Sequence, residues 1–377
     1  MDTKTVQSTL QSSISQQLYL AFELSQKQWK LGFTVGMGQR PRIRTIQARD
    51  LQALQWEVQE AHHRFRLPDT VTTMSCYEAG RDGFWLHRYL HAQGIANLVV
   101  DSASIEVSRR SKRAKTDKLD VDKLLEMLIR YHSGERKLWR VVHVPSLEVE
   151  DQRQLHRELA TLKAERTQHI NRIKGLLIGQ GVSIPVATDL LERLDSVHLW
   201  DGSALPDGLH TCLEREYQRI QLVNQHIQQL EKQICTSDHP SMVKVHQLLR
   251  LKGIGVNSAW LFVMEFFSWR DFHNRREVGA LAGLTATPYT SGGASREQGI
   301  SKAGNRHIRA MIVEIAWIWL RYQPDSQLSR WYQQRFGQGS NRLRRIGIVA
   351  LARRLLIDLW RYLETGTVPE GAVLKSS

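Results

Sequence analysis

Leu18 to Val35 reads LYLAFELSQKQWKLGFTV, two short aromatic and apolar runs on either side of the polar turn Ser25-Gln26-Lys27-Gln28. Runs of that length with a turn between them read as a β-hairpin. Working outward, Ala48 to Phe65 has helical character, Val71 to Tyr77 is first β-branched and then apolar, Gly83 to Ala92 is helical, and Ile95 to Val100 is a further strand. Strands alternating with helices predict an α/β layer. A helix from Asp117 to about Tyr131 follows, and Pro145 closes this first domain, residues 18–145. Residues 1–17, rich in Ser and Gln with no apolar signal core, read as a loose tail.

The pattern then changes. Leu155, Leu159, Leu162, Ile170, Ile173 and Leu176 recur at helical spacing along a charged segment, which predicts a long amphipathic helix. Leu209, Leu213, Tyr217, Ile220, Val223, Ile227, Leu230 and Ile234 are spaced by steps of three or four, a heptad seam. Gly179, Gly181, Pro185 and Trp200-Asp201-Gly202 mark a reversal between them. Residues 146–240 are therefore a helical coiled-coil middle, and spacing leaves open whether the seam pairs within one chain or between subunits. Beyond Pro240, residues 241–377 read as a third, mostly α domain of compact helices and Gly-rich turns, ending in the basic helix Asn341 to Leu363.

With 52 Lys and Arg against 38 Asp and Glu, the chain carries a net charge of +14, which favours an anionic partner. Nucleic acid is the foremost one, because each phosphate neutralised releases counterions and supplies affinity independent of sequence. A spanning helix is excluded, since even the apolar stretch Met311 to Leu320 is interrupted by Glu314. The expected compartment is cytoplasmic. Cys76, Cys212 and Cys235 lack paired zinc spacing, so three reduced thiols and no zinc are expected.

Four acids stand out on the α/β domain. Glu23 ends the first strand, Glu78 lies just past a later one, and Asp117 and Asp120, three apart, share a helix face that Asp122 does not. Strand-end acids converging with a crossing helix repel one another unless a hard divalent cation sits among them, and Mg²⁺ with oxygen ligands fits. A pair of such ions can activate an attacking oxygen and stabilise a leaving one in phosphodiester chemistry. The adjacent basic run, Arg109, Arg110, Lys112, Arg113, Lys115 and Lys118, would hold a phosphate backbone. Asp82 and Asp101 read as turn and capping residues.

Two features mark the last domain. Gly253 and Gly255 flank Ile254 between helices, resembling the hairpin of a helix-hairpin-helix element, whose backbone N–H groups approach phosphate; a plain helix connection looks the same. Further on, Ser291 lies between Thr290 and the pair Gly292-Gly293, where a hydroxyl can stand exposed at a turn. Lys302, Asn305, Arg306 and Arg309 could clamp a phosphate beside it. Ser295 and Ser301 are competing nucleophiles, and no neighbouring Ser-His-Asp arrangement supplies a base.

Together these residues resemble a family of bacterial insertion-sequence transposases that join an N-terminal RuvC-like (ribonuclease H-like) DEDD domain to a C-terminal serine transposase domain, also called bridge-RNA-guided recombinases. The resemblance runs from about Leu18 to the end and is most specific at Lys115-Thr116-Asp117-Lys118-Leu119-Asp120, at Ser291-Gly292 and at Lys302-Ala303-Gly304-Asn305-Arg306. Val144-Pro145, Asp151-Gln152-Arg153 and the Arg-rich helix to Asn171-Arg172 match the family's middle region. It implies that Glu23, Glu78, Asp117 and Asp120 bind the metal and that Ser291 forms a covalent phosphoserine link to DNA. It also implies a structured noncoding guide RNA and a homo-oligomeric complex whose active sites combine the acids of one subunit with the serine of another. The family's first acid is usually Asp in a Gly-Ile-Asp-Val-Ser context, whereas this chain has Ala21-Phe22-Glu23-Leu24-Ser25, with one extra methylene on the ligand. Two rival readings remain at this level: a metal-dependent nuclease in which Ser291 is a turn residue, and a nucleic-acid-binding protein without activity.

Overall fold

The computed structural model describes residues 17–68, 70–105, 117–291 and 294–375, and the chain divides into two compact units, 1–144 and 145–377. In the first, β1 (Leu18–Leu24) and β2 (Gln28–Thr34) form the expected hairpin, with Ser25 Oγ donating to the Gln28 carbonyl at 2.6 Å across its turn. β3 (Arg42–Gln47) pairs antiparallel to β2 and was absent from the sequence reading. Its residues Arg42-Ile43-Arg44-Thr45-Ile46-Gln47 alternate, but only Ile46 is fully buried, so the apolar run that betrays a strand is missing. β4 (Thr73–Glu78) and β5 (Ala96–Val100) add parallel strands, giving the order β3-β2-β1-β4-β5.

Helices cover both faces of this mixed sheet. Leu18, Leu20 and Phe22 pack with residues of α1 (Leu51–Arg64) and α2 (Trp85–Ala92), while Tyr19, Ala21 and Cys76 pack with α3 (Asp117–His132). The side-chain period of two sorts the strand residues between the two cores. Gly32 is required where α3 crosses, since a β-carbon there would strike Val121 and Leu125.

The second unit begins with α4 (Leu147–Ile178), capped by Ser146 Oγ, which accepts the Val149 N–H at 3.3 Å. It turns back through α5 (Leu190–Ser196) and pairs with α6 (Asp207–Cys235). Seven of the eight heptad residues, Leu213 to Ile234, are buried inside this one chain, so the seam belongs to an internal helical hairpin. α7 (Met242–Leu249), α8 (Val256–Phe262), a π-helical turn Val263–Phe267 and α9 (Arg275–Leu281) follow. An antiparallel ribbon, β6 (Ala286–Ser291) and β7 (Ala294–Ile300), comes next. Then come α10 (Arg306–Tyr322), α11 (Gln327–Tyr332), a second π turn Gln333–Gly337 and α12 (Asn341–Thr365), whose apolar sides share one core. The ribbon corrects the reading of this region as helices joined by Gly-rich turns. No helix among the described residues is long and apolar enough to cross a membrane, and none of the three cysteines forms a disulfide.

Candidate functional site

Register and period place the acids of the first unit. Glu23 continues the alternation of Tyr19 and Ala21, and Glu78 that of Met74 and Cys76, so both belong to the sheet face covered by α3. The ladder pair Phe22↔Tyr77 makes them neighbours at adjacent strand ends. Both line a cavity of about 450 Å³ with Ser25, Gly80 and Asp82. Asp82 is an ion-pair partner of Arg49 at 3.2 Å and Arg81 at 3.3 Å, consistent with its reading as a turn residue.

The direction of α3 brings in the other two acids. At its C-terminal end His132 Nδ1 lies 2.8 Å from the Tyr19 hydroxyl near the start of β1. Midway, Cys76 Sγ donates to the Leu124 carbonyl at 3.8 Å, and Val121 lies over Gly32, which pairs with Ala21. The helix therefore runs antiparallel to β1 and β4, and its first turn reaches the strand ends that carry Glu23 and Glu78. Asp117 precedes Val121 and Asp120 precedes Leu124 by one turn each. Asp120 is half-buried; the side chain of Asp117 lies outside the described residues. The donor set is all carboxylate oxygen, which suits a hard cation, but among the described residues no three His, Cys, Asp or Glu stand close enough to share one. Of the basic run, Arg109, Arg110, Lys112, Arg113 and Lys115 lie outside the described residues, and Lys118 is described only as part of the α3 backbone.

In the second unit, Ser291 is the last paired residue of β6, opposite Ala294, rather than part of an open loop. Ser295 sits in the same ladder opposite Thr290, and Ser301 donates its N–H to the Thr285 carbonyl at 2.8 Å at the foot of the ribbon. That foot is tightly closed. Lys302 N–H bonds the Gly283 carbonyl at 3.1 Å and Asn305 N–H the Leu281 carbonyl at 2.7 Å. Gly304 adopts φ +136° against the Leu281 carbonyl, a place no β-carbon can occupy.

Two of the four expected phosphate clamps are committed elsewhere. Asn305 Oδ1 caps α10, accepting N–H bonds from His307 at 2.9 Å and Ile308 at 3.2 Å, while its Nδ2 donates to Glu265 at 3.1 Å. Arg309 donates to the Ala282 carbonyl at 3.1 Å. Lys302 and Arg306 remain exposed beside the foot. The turn at Gly253, φ +94°, is likewise engaged: the N–H groups of Lys252, Ile254 and Gly255 go to the Val373 carbonyl, the Leu251 carbonyl and Ser258 Oγ.

Glu265, which the sequence reading missed, is the hub of this region. It is fully buried on the π turn, where its carboxylate accepts from Arg153 at 3.1 Å, Arg157 at 2.7 Å and Asn305 at 3.1 Å and lies 3.0 Å from His156 Nε2. Burial pushes its carboxyl up, but the bonds from His156 and Arg157 and the charge of Arg153 outweigh that and hold it far below the usual range. The hub ties the start of α4 to the residue that caps α10 and closes the ribbon foot.

A family model described as transposase IS116/IS110/IS902 family matches residues 245–333, the segment from α7 through the ribbon to α11. The chain is 40% identical to a Sinorhizobium fredii protein described as a candidate transposase, y4rJ, over 95% of each chain. It is 29% identical to the transposase for insertion sequence element IS1328 of Yersinia enterocolitica, over 60% of this chain and 68% of that one.

Proposed function

The chain belongs to the IS116/IS110/IS902 transposase family, is an enzyme of DNA transposition and binds DNA, and from that premise we propose that it cuts and rejoins DNA through a phosphoserine at Ser291. In this reading the first unit is ribonuclease H-like, and its acids Glu23, Glu78, Asp117 and Asp120 hold Mg²⁺. A guide RNA supplies target choice, and the complex is a homo-oligomer. The observation that supports the acidic half is the antiparallel run of α3 over β1 and β4, whose N-terminal end points toward the ends of the strands bearing Glu23 and Glu78.

Ser291 Oγ attacks phosphorus, the Oγ–P bond forms as the P–O bond to the neighbouring nucleotide breaks, and the serine proton passes to a base while the departing oxygen is protonated. The phosphodiester energy is kept in the covalent link, so a second strand's hydroxyl can displace the serine and reseal the backbone. Mg²⁺, when bound, supplies positive charge to the phosphoryl oxygens. Exposed Lys302 and Arg306 would steady the phosphate, while Asn305 and Arg309 keep the ribbon foot in place.

The test is a denaturing gel of labelled element-end DNA incubated with Mg²⁺, co-purified RNA and either the parent protein or Ser291→Ala. The proposal expects a protein-linked DNA band with the parent alone. Free cleaved DNA from both, without an adduct, overturns it and makes the enzyme a metal-dependent nuclease.

A further inference from the structure

Between α9, α12 and the ribbon foot the second unit is hollowed by a groove of about 1000 Å³. Arg275, Arg276, Arg342, Arg345, Arg353 and Arg354 line it, and among the described residues no acid, amide or hydroxyl side chain does. None of the six makes an ion pair among the described residues, and the buried Nε of Arg353 has no hydrogen-bond partner there. The floor is apolar, formed by Ile300, Trp331, Ile346 and Val349 among others, and the Arg354 guanidinium lies 4.0 Å from the Trp331 ring centre. Ile346, nearly half exposed, and the neighbouring Leu343 leave apolar surface open to water on a helix that otherwise bristles with arginine.

A rim of six cations calls for a polyanion, and the floor restricts which one. An intact duplex keeps its base faces stacked inside and would offer an apolar surface only sugar, phosphate and the edges of its bases. An unpaired strand offers both, phosphates to the guanidinium groups and flat apolar base faces to the floor. Among the described residues the lining offers no hydroxyl or amide side chain to meet a ribose 2′-OH, which suits deoxyribose over ribose. We propose that this groove binds an unpaired segment of a DNA strand. The inference rests on the family's DNA binding and stands whether or not Ser291 is the nucleophile.

The experiment uses the full-length protein, with binding of a short mixed-sequence single-stranded DNA measured by fluorescence anisotropy across a salt series. Duplex DNA and RNA of the same sequence serve as competitors. Arg342→Gln with Arg345→Gln, both at exposed positions, should weaken single-strand binding by about tenfold and flatten the salt slope by about 1.4, two phosphate contacts on a single strand. Ile346→Asn should weaken it several-fold while leaving the slope and duplex binding alone. Photo-crosslinking of the strand through 5-iododeoxyuridine should mark the peptide containing Trp331, which separates this groove from any other basic surface. Unchanged affinity in both variants overturns the proposal, as do crosslinks confined to other peptides. Stronger competition by RNA reassigns the groove to RNA, and equal loss of duplex binding makes it a duplex surface; either result overturns the assignment to unpaired DNA.

Discussion

A single buried carboxylate, Glu265, holds three cationic or imidazole side chains of α4 against the cap of α10, and its loss leaves the largely buried Arg153 and His156 without that partner. Glu265→Ala should therefore cost about 3–5 kcal/mol of unfolding free energy, measured by denaturant titration at neutral pH. The sign of its pH dependence follows from a folded carboxyl held below its unfolded value of about 4.3. The stabilisation is complete above that value and shrinks as the pH falls below it, so parent and variant should converge in strong acid and differ by a constant amount from about pH 5.5 upward. The acids of the first unit carry a different expectation. Asp117→Asn and Asp120→Asn should each abolish strand cleavage with melting temperature unchanged, because Asn is as well tolerated as Asp at a helix start; cleavage retained in both removes the quartet from the mechanism.

At the scale of elements, what the sequence makes legible is whatever repeats. The β1–β2 hairpin, the long helices and the heptad seam each bury an apolar face at a fixed period and were readable near their bounds, whereas short helices such as α5, α7, α8, α9 and α11 carry too few turns to show one. β3 escapes because its pairing rests on backbone hydrogen bonds with a single buried side chain, and the β6–β7 ribbon because Pro288 and the glycines Gly292, Gly293 and Gly299 read as turn residues. The acids stand out in the sequence because they mark strand ends and a helix start, whereas nothing in one dimension foretold that Asn305 caps α10 and Arg309 ties the Ala282 carbonyl, since a cap and a loop tie look like a phosphate clamp there. Glu265 left a faint signal: it is the lone charge in Leu261-Phe262-Val263-Met264-Glu265-Phe266-Phe267, and Arg153, His156 and Arg157 share one helix face. Because the seam is internal, Ile227→Asp should destabilise the helical hairpin by about 3–5 kcal/mol without altering the oligomer mass of the protein that remains folded. Light scattering and thermal melting would show it, and a loss of assembly in a protein that melts normally would return the seam to the subunit interface.

For the whole molecule, the acids and the serine lie in different compact units of one chain. If an active site combines the acids of one subunit with the serine of another, mixing Asp120→Asn protein with Ser291→Ala protein should restore part of the cleavage that neither shows alone, up to about a quarter of the parent level for random pairing into dimers. A mixture as inactive as its components would confine both halves of the chemistry to a single subunit.

The carboxyl-terminal strap has a consequence in time. Val373 accepts the Lys252 N–H, Lys375 reaches back to the Arg250 and Ile254 carbonyls, and Leu251 bridges Leu374. These partners are 121 residues apart for the Lys375 side chain and Ile254. At about 5–20 residues per second on a ribosome, roughly 6 to 24 seconds pass between synthesis of the Gly253 turn and of the segment that covers it. During that interval the nascent chain presents a half-built apolar surface, which makes this stretch of translation the natural moment for a chaperone to attend it.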